Sequence, residues 1–308
     1  MTTRASRSAF ATRVARSETR AYETMSRFTN VSTHATTTTY DRAIDRGDDD
    51  SRDHAFAFEA LSHDAYASFV ESNTTGSRVW DAARALRAYI VHDAVARERV
   101  IERAHARTIE LGSGCGFLAF EIARVKTNEG EVRATETSAR GAVAWLAANV
   151  QANALEAMRR GTTPGWKFAR LSVREMDWVE FARAFEARRE GGGGAREREA
   201  ETADDERWDV VLGSDLVYDD AGTHALPVVI YALLKSRDAV CYYAHTKHRY
   251  DGLDETFFEQ CARRGLDVEE MRQPGVRTPP PSPPPFESLF PDQRIAVYRI
   301  TRAKVLAS

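Results

Sequence analysis

The chain has 308 residues, enough for one substantial α/β domain with additions or for two small ones. A formal net charge of −3 provides no basic field that would draw it to nucleic acid. Cys115, Cys241 and Cys261 are too few and too scattered for a disulfide framework or a zinc cluster, which points to a reducing compartment. The longest apolar run, Ala225 to Leu234, contains a proline and is too short to cross a bilayer, so a soluble protein is expected.

Residues 1–53 are rich in Arg, Ser, Thr and Ala. Arg4, Arg7, Arg13 and Arg16 precede the first acidic residue. The stretch reads as an organellar transit peptide or as a disordered basic extension. The cytoplasm is the default location, with chloroplast or mitochondrion as the alternative. Residues 54–308 form the expected folded domain.

Ser77 to Val91 places Val79, Ala82, Ala83, Leu86, Tyr89 and Ile90 at helical spacing. Strand 108–111 then runs into Gly112-Ser-Gly-Cys-Gly116 and helix 117–126. The spacing E-x-G-x-G-x-G is tighter than that of dinucleotide sites. Gly112, Gly114 and Gly116 let the backbone turn sharply and approach a ligand, although any strand–turn–helix could carry three glycines. Strand 131–136 ends in Glu136, 24 residues beyond Gly112. An acidic residue about 20 positions on accepts ribose hydroxyls in open α/β sheets. Taken alone, Glu136 could equally be a surface carboxylate. The pair favours a nucleoside ligand, and the lack of a cation in the turn argues against a pyrophosphate. S-adenosylmethionine, with an amino-acid tail in place of phosphates, fits better.

Helix 138–153 follows, then candidate strands 167–173 and 208–212, a helix from Pro227 to Lys235, and strand 239–245. Helix 253–264 and strand 294–300 complete the pattern. Between them, residues 186–207 read as a flexible surface insertion and 278–285 as a polyproline II spacer between two strands. The alternation predicts an α/β, Rossmann-like seven-stranded sheet, mostly parallel with the last strand antiparallel, and helices on both faces. Cys241, His245 and His248 fit no familiar metal spacing and read as a strand end and a loop.

Thr75-Gly-Ser-Arg-Val-Trp-Asp-Ala-Ala83, Glu110-Leu-Gly-Ser-Gly-Cys-Gly116, Asp177-Trp178 and Leu212-Gly-Ser-Asp-Leu-Val-Tyr218 occur in that order. Together with Lys247-His-Arg-Tyr250, the set resembles the seven-strand S-adenosylmethionine-dependent protein-lysine methyltransferases of methyltransferase family 16. The resemblance covers about residues 56–300. It implies that Trp80 closes one side of the cofactor pocket. Glu110 and the backbone of Gly112, Ser113 and Gly114 would hold the methionine end. Glu136 would take the ribose, and Trp178 would pack near the adenine. Ser214 stands where alanine is usual, which should matter little to a backbone contact. Asp215 and Tyr218 would lie beside the substrate nitrogen as the catalytic pair. A core tryptophan, a capping aspartate and a sheet-packing tyrosine are the structural alternatives.

The expected partner is a protein presenting a lysine, with a monomer as the default state. A nucleic-acid amino methyltransferase would usually show N-P-P-Y or D-P-P-Y, and Asp215-Leu-Val-Tyr218 has no prolines. A small-molecule methyltransferase and a non-catalytic scaffold of the same fold remain as alternatives.

Overall fold

Sequence patterning sets the local structure of this chain before packing does. In the computed structural model, residues 76–190, 207–247, 249–271 and 295–303 are described. The helical stripe becomes α1 (Asp81–His92), which buries Ala82, Ala83, Leu86, Tyr89 and Ile90. A short α2 (Ala94–Arg97), capped by the Asp93 carboxylate on the Ala96 N–H, leads into a π-helical turn, Glu98–Glu102.

Then come β1 (Thr108–Leu111), α3 (Phe117–Val125), β2 (Val132–Glu136), α4 (Ala142–Arg159), α5 (Gly165–Phe168) and β3 (Leu171–Glu175). The chain continues through α6 (Trp178–Glu190), β4 (Val210–Ser214), α7 (Asp220–Leu233) and β5 (Val240–Thr246). It closes with α8 (Asp251–Arg263), β6 (Leu266–Met271) and β7 (Ile295–Arg302).

The seven strands form one sheet in the order β3-β2-β1-β4-β5-β7-β6. β1 to β5 pair in parallel, and β7 runs antiparallel to both β5 and β6. This is the predicted fold. The period of two along each strand divides the core. Val210, Leu212, Tyr242 and Ala244 pack with α1, α3 and α4 on one face. Val211, Cys241 and Tyr243 pack with α7 and α8 on the other. β5 is buried at all seven residues, as a central strand covered on both faces must be.

Several boundaries move. The third strand starts at Leu171, not Lys167, because Pro164-Gly165 opens the short α5. Lys167 lies in that helix and donates to the Arg124 carbonyl at 2.7 Å. The helix expected from Pro227 begins at Asp220, where Asp219 caps it through the Gly222 N–H; Pro227 sits buried inside. The expected insertion begins later than residue 186, since 186–190 complete α6. Residues 191–206, the proline stretch 278–285, His248 and the basic segment 1–53 lie outside the described residues.

Gly116 shows how tightly the glycine turn joins the core. Its φ is +87°, and an added Cβ would lie 2.7 Å from both Leu146 and Val150 on α4. Left-handed backbone and overlap act together, so Gly116→Ala should lower stability by about 2–3 kcal/mol. The shift in urea midpoint measures it; a loss under about 0.5 kcal/mol, the usual range for a surface change, would show that α4 simply moves aside.

Candidate active site

In an open α/β sheet, ligands bind beyond the carboxyl ends of the strands where the strand order reverses. Here that place lies between β1 and β4, which are neighbours although β2 and β3 separate them in the chain. Leu111, Glu136, Ser214 and Thr246 end β1, β2, β4 and β5 along this edge.

The glycine turn follows β1 with Gly112 at φ +56° and Gly114 at +54°. A Cβ on Gly112 would lie 2.7 Å from Leu216 Cδ2 and 3.0 Å from the Trp178 ring. The indole therefore packs directly on the turn. At Gly114 a Cβ would come within 3.3 Å of the Gly76 carbonyl oxygen, which brings the segment before α1 onto the same turn. Glu136 is tied to it as well. Its Oε2 accepts the Gly114 N–H at 3.0 Å, and its Oε1 accepts that of Thr137 at 2.9 Å. Burial raises the Glu136 pKa, and these two bonds oppose the shift.

Ser113 and Glu110 face inward. The Ser113 N–H donates to the Thr135 carbonyl at 2.8 Å, and its Oγ accepts the Thr135 N–H at 3.1 Å, stapling the turn to β2. Glu110 is 2 % exposed, and its Oε2 accepts the Ala119 N–H in the first turn of α3 at 2.9 Å. Its carboxyl serves as an internal cap for that helix.

Burial pushes the Glu110 pKa up to about 8, against hydrogen bonds from Ser113 and Ala119. The folded protein thus keeps a proton that the unfolded chain sheds near 4.5. With the native state binding more protons, stability falls as pH rises from about 4.5 through about 8, then levels off. Glu110→Gln removes this dependence. Urea unfolding should show the variant gaining on the wild type between about pH 5 and about pH 8. A constant difference would mean that Glu110 is ionised throughout.

Asp215 follows β4 with φ +50°, a left-handed conformation that aspartate tolerates better than most residues. Its side chain is 5 % exposed. The Thr246 N–H donates to Oδ1 at 2.7 Å, and the Thr246 hydroxyl donates to Oδ2 at 2.9 Å. Arg249 Nη1 stands 3.6 Å from Oδ2, and its guanidinium lies over the Trp80 ring, 4.3 Å from the centroid. Burial raises the Asp215 pKa; the Thr246 bonds, then His245 and Arg249, hold it down. Trp80 caps α1, and its carbonyl accepts the Ala83 N–H.

Behind the loop, the Tyr243 hydroxyl accepts the Leu216 N–H at 3.2 Å and meets His245 Nδ1 at 3.2 Å. His245 Nε2 faces Asp254 at 2.9 Å. Cys241 and His245 are buried in the sheet. Tyr218 is 44 % exposed. Its pKa is nevertheless raised, by burial first and then by the carboxylates of Glu136 and Asp219.

The structure therefore gathers two groups on one edge. Gly112, Gly114, Glu136 and Trp178 surround the turn, while Asp215 and Trp80 meet around Arg249. Ser214 ends β4 between them, opposite Ala244 of β5. Thr246 and Arg249 were not singled out from the sequence. Their signal is the parallel register, which sets Ser214 against Ala244 and so brings the residue after each strand end within reach of the other.

The turn sits beside a carboxylate on the neighbouring strand and an indole wall, while the Ser113, Gly114 and Gly116 N–H groups are bonded within the protein. A carboxylate and an indole beside a glycine turn fit the ribose and base of a nucleoside, as in S-adenosylmethionine. Among the described residues no group of three or more His, Cys, Asp or Glu could hold a metal, and no helix is long and apolar enough to cross a membrane.

Fold and ligand edge define an α/β protein with a site at the carboxyl ends of its parallel strands. Residues 67–179 match the model of methyltransferase family 16, described as lysine methyltransferase. The match spans Trp80, the glycine turn, Glu136 and Trp178; Asp215 and Tyr218 lie beyond it.

A search of curated proteins finds no match. Solved structures with a similar fold include a protein of Pyrococcus horikoshii assigned as a transferase, at 17 % identity and TM-score 0.39. That likeness covers 73 % of this chain but only 64 % of the other. A precorrin-6y C5,15-methyltransferase of Geobacter metallireducens is 15 % identical over 71 % of this chain and 84 % of that one, with TM-score 0.37. An S-adenosylmethionine-dependent O-methyltransferase of Thermotoga maritima is 13 % identical over 78 % and 71 %, with TM-score 0.42. Likeness at this level carries nothing about substrate.

Proposed function

We propose that this chain transfers a methyl group from S-adenosylmethionine to a lysine side chain of a protein substrate. The observation that carries the reading is the buried Asp215 carboxylate at the ligand edge, with a cation already seated between it and the Trp80 face. A carboxylate and an aromatic face together make a site for an alkylammonium.

The backbone of the glycine turn would lie against the cofactor's tail, Glu136 would take its ribose, and Trp178 would form the wall beside its base. When bound, that cofactor supplies an electrophilic methyl group on a sulfonium. The chain's own residues must then attract and orient the acceptor, whose proton passes to solvent before the methyl group moves. A free lysine has a pKa of about 10.4 and arrives as the ammonium. Asp215 draws it in and orients it. Trp80 and Tyr218 exclude water, which lowers the pKa of the amine and eases loss of its proton. Asp215 is too acidic for a strong general base, even with its pKa raised by burial. Positioning of the amine lone pair therefore supplies most of the acceleration.

The test uses purified full-length protein, labelled S-adenosylmethionine and a lysate stripped of its own methyl marks. Nuclease-resistant label that maps to lysine supports the reading. Label only in nucleic acid or small molecules would overturn the acceptor class, and failure to bind the cofactor would favour a scaffold.

A further inference from the structure

Arg249 lies on the bend between β5 and α8, in the Lys247–Tyr250 stretch whose role the catalytic reading leaves open. Lys247 is taken up by Glu270 on β6 and by the Tyr298 ring. Arg249 instead reaches the two groups that define the acceptor site. Its guanidinium carbon is 4.3 Å from the Trp80 centroid, and Nη1 is 3.6 Å from Asp215 Oδ2. One planar cation thus touches both the aromatic face and the carboxylate. Its side chain is 24 % exposed, against 5 % for Asp215. The Tyr250 ring, 41 % exposed, lies 5.6 Å from the same guanidinium.

We propose that Arg249 is the resident cation of the acceptor site, a stand-in that the substrate ammonium displaces from Asp215 and Trp80. The proposal rests on the lysine reading and deepens it, because it says what the site selects. Removing the partner of a buried charge is costly, and replacing it by another cation is not. A neutral acceptor that displaced Arg249 would leave the buried Asp215 with the Thr246 hydrogen bonds but without its paired cation. An ammonium exchanges charge for charge, and the freed guanidinium moves to water and the exposed face of Tyr250. The site thus discriminates in favour of acceptors that enter protonated, before any methyl transfer takes place.

The test measures binding of n-butylammonium, which has the carbon and nitrogen skeleton of a lysine side chain, by titration calorimetry on the full-length protein. Arg249→Gly should bind it at least about tenfold more tightly than the wild type, the order expected for a desolvated cation–π and ion-pair site. Neutral n-pentanol should show no such gain. Adding Asp215→Asn should remove it. Circular dichroism checks folding, and Arg249→Gln serves if the glycine variant unfolds.

Equal affinity for n-butylammonium in the wild type and a folded variant would overturn the proposal, as would an equal gain for n-pentanol. The lysine reading is scored separately by where label is transferred. Label on a non-lysine acceptor, with the n-butylammonium gain present, refutes that reading and leaves the resident cation standing. Label on lysine without the gain removes Arg249 alone.

Discussion

Asp215→Asn should reduce methyl transfer by at least about 100-fold while cofactor affinity stays within a few-fold. Truncating one member of a buried charge pair costs on the order of 2–5 kcal/mol. Asparagine is the informative replacement because it tolerates the left-handed backbone at this position. Its carbonyl can still accept the Thr246 N–H, and its amide can donate to the Thr246 hydroxyl, so the β4–β5 link survives. Alanine would lose both bonds and confound chemistry with folding. The check is single-turnover transfer beside calorimetric cofactor binding. Equal loss of both would make Asp215 a structural residue, and full activity would remove it from the site.

The second large effect belongs to the turn. Gly114→Arg should abolish cofactor binding, a loss beyond about 100-fold, by filling the space against Gly76 and displacing Glu136 from the Gly114 amide. The left-handed φ of +54° adds about 1–2 kcal/mol of strain whatever side chain is placed there. Gly161→Ala provides a control, since it also has positive φ but no neighbouring atom within 4 Å of an added Cβ. That variant should lose a similar amount of stability and bind normally. If Gly114→Arg still binds the cofactor, the site lies elsewhere.

The features legible in the sequence were those that depend on local pattern. Three glycines after a short apolar run and an acidic residue on the next strand were enough to place the turn and Glu136 on one edge. Burial on both faces made β5 a nearly continuous apolar run, readable as a central strand. β6 was harder. Leu266-Asp-Val-Glu-Glu-Met carries its acidic residues outward on an edge strand, where charge blunts unwanted pairing and hides the strand pattern. α6 was masked in the same way, because its arginines and glutamates run directly into the charged insertion. Pro227 suggested a helix start because proline belongs in a first turn; the capping by Asp219 overrode it.

The surroundings of Asp215 were only half legible. The resemblance placed Trp80 and Asp215 at one site, but nothing local tells that Arg249 would join them. Nor does a residue pattern reveal that Glu110 turns beneath the glycines to cap α3. Both depend on distant segments meeting, which spacing along the chain does not encode.

The strand order has one more consequence. Because β7 returns between β5 and β6, Met271 and Ile295 both sit at the same rim of the sheet as Thr246. Gly76, where the described N-terminal segment begins, rests on Gly114 at that rim as well. The pairings of β5, β6 and β7 therefore fix both ends of the 23-residue stretch between Met271 and Ile295 on this rim. One rim of the sheet thus anchors Asp215, the glycine turn and the facing ends of β6 and β7 at once, so a strand slip in the antiparallel half would be felt where Thr246 holds Asp215.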